Sequence, residues 1–98
     1  QLTIEDIKIK IKNKGVEISW RTNRPAAAIL EYGKTGEHLT KVEERDYKTN
    51  FKIELAQLPA GQYEFVIKVT DKTGKEAVSS RMNFTVGLDI RDKMFKLF

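Results

Sequence analysis

The chain has 98 residues, of which 33% are charged and none is cysteine. This is the length of one domain, able to bury roughly two thirds of its unfolded surface without a metal or a disulfide. Without cysteine there can be no disulfide framework, thiolate metal site or cysteine nucleophile. Apolar runs of only four or five residues fall far short of the ~20 that a spanning helix needs, so the chain reads as soluble, without membrane insertion. It opens on Gln1 rather than Met, as would a domain cut from a longer protein.

Taken in order, the segments alternate apolar and polar residues with turn signals at intervals of about ten, the pattern of an all-β fold. Ile7, Ile9 and Ile11 predict the inward row of a first strand whose outward row is Lys8, Lys10 and Lys12. Asn13-Lys14-Gly15 closes it, and Val16, Ile18 and Trp20 form the inward row of a second strand. Pro25 then fixes its own φ and pushes Arg24 to an extended conformation, predicting a reversal of direction. A third strand follows with Ala26, Ala28, Leu30 and Tyr32 inward, ended by Gly33-Lys34-Thr35-Gly36. Polar residues around Leu39 to Val42 suggest an edge strand, and Phe51, Ile53 and Leu55 alternate cleanly in the next. The longest strand carries Tyr63, Phe65, Ile67 and Val69 inward and turns at Asp71-Lys72-Thr73-Gly74, where glycine supplies positive φ. Val78, Ser80, Met82, Phe84 and Val86 are the expected inward set of a seventh strand. Seven strands in a chain of this length predict an antiparallel immunoglobulin-like β-sandwich.

Four motifs in combination resemble a fibronectin type III domain over about residues 4 to 86. They are Trp20, the Thr-Asn-x-Pro-Ala…Glu-Tyr-Gly run from Thr22 to Gly33, the Leu-Pro-Ala-Gly-x-Tyr turn from Leu58 to Tyr63, and the Asp-x-x-Gly hairpin from Asp71 to Gly74. One departure is visible: the Leu-to-Tyr turn is a residue shorter than usual, which leaves open the tyrosine-corner hydrogen bond of Tyr63. The resemblance implies a spacer or binding module of a multidomain protein, in an extracellular or cell-surface location. Many bacterial versions are appended to secreted glycan-degrading enzymes. The Asn-x-Pro-Ala…Tyr-Gly style is also similar to the non-catalytic N-terminal domain of purple-acid-phosphatase-like enzymes. Neither likeness brings catalytic residues to this chain.

The residues with chemical potential read as structural. His38 is the only histidine, so a multi-histidine metal centre is excluded, and a surface position in a polar loop is expected for it. No Gly-x-Ser-x-Gly elbow occurs, and Ser79-Ser80 falls in a strand. Gly33-Lys34-Thr35 has Ala28 where a phosphate loop needs its first glycine, so it reads as a turn. Glu43, Glu44 and Asp46 form a run of charges rather than a carboxylate pair with one member in an apolar pocket. Asn83-Phe84-Thr85 fits the glycan-acceptor pattern on an outward strand position. Net charge of +4 with a pI near 9.4 admits an anionic partner, yet no arginine cluster or aromatic platform accompanies the lysine row, so no nucleic acid is expected. Lysines on a terminal strand are instead a guard against edge pairing.

Two surfaces are left as candidates for interaction. Residues 87–98 form a C-terminal extension, or the start of a following domain, in which Ile90, Met94, Leu97 and Phe98 make one apolar stripe if helical. Such a short helix needs something to pack on: its own domain, a second copy or a protein partner, with Phe95 or Phe98 as anchor. The other is the edge from Leu39 to Tyr47, open to an added strand, with Tyr47 and the tail residues Phe95 and Phe98 the aromatics left over for a glycan. The expectation is a non-catalytic module over residues 1–86 with no cofactor, no metal and no catalytic residues, serving as spacer or protein-interaction domain. The alternative is an accessory domain of an extracellular hydrolase, glycan-active or phosphatase-like, whose catalytic domain lies elsewhere.

Overall fold

The structure is a computed structural model that describes residues 1–87. Six strands form an antiparallel all-β arrangement: β1 (Ile4–Lys12), β2 (Gly15–Lys34), β3 (Thr40–Leu55), β4 (Gly61–Asp71), β5 (Glu76–Val78) and β6 (Met82–Val86). The expected seven strands become six because two pairs of them run together and one divides. Pro25 does not end the second strand; β2 continues through it, and its register against β3 shifts between Arg21 and Ala28. The Thr22 hydroxyl, buried at this shift, donates to the Arg24 carbonyl at 2.7 Å. Likewise the predicted edge strand and the Phe51 strand are halves of one β3.

The two long strands therefore each have two halves. Val16–Arg21 of β2 pairs with Asn50–Leu55 of β3 on one side and with β1 on the other. Ala28–Tyr32 pairs with Thr40–Glu44 of β3, while β4 takes the other side along Ala26–Lys34. β3 thus follows one edge of β2 throughout, and β1 and β4 share the opposite edge. The inward rows of both halves meet in a single apolar core that includes Val16, Ile18, Trp20, Phe51, Leu30, Phe65, Ile67, Val69 and Phe84. Trp20 stacks on Phe51 with ring centroids 5.0 Å apart, and Tyr63 stacks on Phe84 at 5.2 Å. Stacking of this kind adds about 0.5–1.5 kcal/mol beyond the burial itself.

Two bulges explain where the alternation misleads. In β1, Glu5 faces Arg21 and Lys8 faces Ser19, so Asp6 and Ile7 together oppose Trp20, and Asp6 takes a φ of 52°. The isoleucine row remains on the inner face, because Ile9 pairs with buried Ile18 and Ile11 with buried Val16. At the sheet edge, however, that row is only partly covered. Ile7 packs on the core, whereas Ile9 is 37% and Ile11 50% exposed. In the last predicted strand, Lys68 faces Val78 but Phe65 faces Met82, so Ser79–Arg81 spans what Val66 and Ile67 span on β4. The extra residue separates β5 from β6 and inverts the faces. Ala77 rather than Val78 packs on the core; Val78 is 60% exposed and Ser80 is exposed, while Phe84 and Val86 are buried as expected. Ser79 repairs the ladder at this point: its Oγ accepts the Ile67 N–H at 2.9 Å, and its own N–H donates to the Ile67 carbonyl at 2.8 Å.

Candidate functional site

Tyr47 and the Asp71 turn, which the sequence treats separately, meet at one end of the molecule. Tyr47 lies on β3 and is 46% exposed, and the Lys72 ammonium stands over its ring, 5.5 Å from the centroid. This separation is within the range of a cation–π attraction. Beside it, Arg24, Pro25, Asp71, Lys72 and Thr73 line an open cavity of about 160 Å³.

Asp71 organises this end. Its carboxylate is buried and accepts the Thr73 hydroxyl at 2.7 Å, the Thr73 N–H at 2.9 Å and the Lys75 N–H at 3.0 Å. The Arg24 guanidinium, from the bend of β2, reaches the second carboxylate oxygen at 3.0 Å. The Thr73 hydroxyl bond leads these effects, and with the two N–H groups and Arg24 it outweighs burial, holding the carboxyl at about 2 against an ordinary 3.8. An ionised group with so many donors is a fixed anchor, poorly suited to move a proton near neutrality. Its chemistry is to lock the hairpin turn, whose Gly74 takes a φ of 89°, to the bend of β2.

The other candidates are dispersed. His38 is exposed in the connection after β2. Glu44 pairs with Lys48 at 2.9 Å and Glu43 with Arg45 at 3.5 Å along the exposed first half of β3. The Ser79 hydroxyl is committed, accepting from Ile67 and donating to the Ser80 carbonyl at 2.9 Å. Asn83 and Thr85 both face outward, as the acceptor pattern expects. Gly33 and Lys34 end β2, and the Thr35 N–H donates to the Gln62 carbonyl at 3.0 Å, so this segment is a turn. Among the described residues, no three His, Asp or Glu side chains are placed to hold one metal ion. Ile90, Met94, Phe95, Leu97 and Phe98, and with them the predicted C-terminal helix, lie outside the described residues.

On the outer face of β1 and the first half of β2, a shallow groove of about 410 Å³ is lined by Asp6, Lys8, Ser19, Arg21, Asn50 and Lys52. Arg21 donates to Asp6 at 2.7 Å there and pairs with Glu5 at 3.4 Å, while Lys8 and Lys52 leave the groove with a net positive charge.

Sequence reasoning saw Asp71 only as a turn residue. The Asp-x-Thr-Gly pattern does signal an aspartate bonded to the backbone two residues on. The Arg24 partner, 47 positions away, leaves no local trace. Tyr63 is the converse case, since its shortened turn still lets the hydroxyl donate to the Pro59 carbonyl at 2.5 Å. No model of a known protein family matches the chain, and no curated protein matches it.

Proposed function

We propose that the chain is a non-catalytic fibronectin-type-III-like β-sandwich module, a spacer or protein-interaction domain of a larger secreted or surface protein. The observation that carries this reading is the commitment of Asp71 and Ser79 to structure. Asp71, among the described residues the carboxyl held furthest from its ordinary value, binds a turn and a bend, and Ser79 patches a bulge. The sandwich is supported by the pairing of both long strands in two halves whose inward rows share one core. The Tyr63–Pro59 bond is a second point of likeness to the family. The test is turnover of chromogenic phosphomonoesters and glycosides by the folded chain. The expected rate is that of buffer, and His38→Ala changes nothing. A turnover abolished by His38→Ala or Asp71→Asn in a still-folded protein overturns the proposal.

The half-exposed Tyr47 ring favours a second reading, an accessory domain that touches glycan for a hydrolase domain elsewhere. A sugar would stack on this ring by displacing Lys72 or by using the face opposite to it. Affinity electrophoresis in soluble polysaccharide tests it: retardation that Tyr47→Ala abolishes supports the reading, and identical mobility with and without polysaccharide rejects it.

A further inference from the structure

We infer that the end of the molecule formed by Tyr47, Lys72 and Arg24 selects an acidic sugar, one that carries a carboxylate, over a neutral one. The inference rests on the glycan reading of Tyr47 and adds the charge of the ligand to it. Three segments distant in sequence meet there: the bend of β2, the middle of β3 and the turn after β4. Their side chains supply a guanidinium, an aromatic ring and an ammonium.

Arg24 is held from one side only. Its Nη2 donates to Asp71 Oδ2 at 3.0 Å, while Nε and Nη1 make no hydrogen bond among the described residues. Asp71 is not drawn to another partner, because its Oδ1 already accepts the Thr73 hydroxyl and the Thr73 and Lys75 N–H groups. The buried carboxylate thus fixes the guanidinium beside the cavity of about 160 Å³, with donors to spare in the planar fork that matches a carboxylate. Pro25 and Thr73 line the same cavity and add no charge. At roughly 30 Å³ per water it holds about five waters, room for a carboxylate and the edge of the ring that bears it.

Lys72 decides between charged and neutral sugars. It lines the cavity, and its ammonium covers the Tyr47 ring, 5.5 Å from the centroid. A neutral sugar that takes this face of the ring displaces the ammonium and gives it no ion in return. An acidic sugar on the same face offers its carboxylate, and a charge-assisted hydrogen bond is worth more than an exposed cation–π contact. The surrounding charges agree. On segments 24–25, 43–48 and 71–75, Arg24 pairs with Asp71, Arg45 with Glu43 and Lys48 with Glu44. Among the described residues this leaves Lys72, Lys75 and Asp46 without an ion pair, two cations against one anion.

The test is calorimetric titration of the full chain, at physiological salt, with polygalacturonate, alginate and hyaluronate, each as the acid salt and as its methyl ester. At least one acid form should bind, with its ester weaker by about tenfold or more, and Lys72→Gln should raise Kd for that acid form about tenfold, the loss of one charge-assisted contact. Tyr47→Ala should abolish the binding. Lys10→Gln removes the same charge from β1 and should leave Kd within about twofold, because a distant surface charge is screened. All three substitutions lie at exposed positions, and far-ultraviolet circular dichroism checks that each variant is folded. Equal losses of affinity in the two lysine variants overturn the inference, since binding then follows net charge alone. Equal affinity for acid and ester, lost in Tyr47→Ala, overturns it while the glycan reading stands. No binding of any of these ligands, or binding that Tyr47→Ala leaves unchanged, overturns both.

Discussion

Trp20 is the best place to test the account of the core. Its side chain is 2% exposed and stacked on Phe51, and its indole N–H is buried without a hydrogen-bond partner. Burying an aromatic of this size removes about 150–250 Å² from water, a gain of about 4–6 kcal/mol at roughly 25 cal/mol per Å². The unmet N–H works against this by about 1–3 kcal/mol, whereas the void left by truncation adds to the loss. Trp20→Ala should therefore cost about 3–5 kcal/mol, a large share of the 5–15 kcal/mol typical of a whole domain. Trp20→Phe keeps a ring against Phe51 and removes the orphan donor, so its cost should be about 1 kcal/mol or less. Urea unfolding followed by far-ultraviolet circular dichroism measures both, since Trp20 is the only tryptophan and fluorescence is lost with it. An alanine variant that loses under about 1 kcal/mol, or phenylalanine and alanine variants of equal cost, would refute the reasoning.

Three other outcomes are expected. Ser79→Ala strands the Ile67 N–H at the bulge and should cost about 1–3 kcal/mol by denaturant unfolding; no loss would mean that water replaces the hydroxyl. Gly15→Ala should destabilise by about 2 kcal/mol or more, because its Cβ would lie 2.5 Å from the Leu55 carbonyl oxygen, and backbone must move to admit it; a neutral thermal melt would contradict this. Asp71 has its folded value depressed to about 2 from 3.8, so its contribution is complete above pH 3.8 and is lost as the pH falls toward 2. Asp71→Asn should flatten the fall of Tm in that window, and an unchanged acid slope would show that Asp71 is not the group responsible.

Much of the core was legible in the sequence because a strand with one buried face repeats every two residues. Val16, Ile18, Trp20, Leu30, Phe51, Ile53, Tyr63, Phe65, Ile67 and Val69 are buried where alternation places them. The same rule failed at Val78 and Ser80, because one inserted residue at Ser79–Arg81 inverts the faces and nothing in the composition marks it. It also could not say that Ile9 and Ile11 face inward without being covered, since cover depends on how far the neighbouring strands extend. Pro25 looked like a break between strands, yet β2 runs through it with a shift in register.

For the candidate site, the exposed His38, the outward Asn83 and the turn at Asp71 were local properties and could be read from neighbouring residues. The clamp of Arg24 on Asp71 and the Lys72 ammonium over Tyr47 join positions far apart in the chain. The sequence by itself determined the all-β pattern, the identity of most core residues and the lack of any cysteine chemistry. Only the tertiary structure decided strand continuity, bulge positions and which distant side chains meet, because those follow from pairing register and chain path rather than from the periodicity of any one segment.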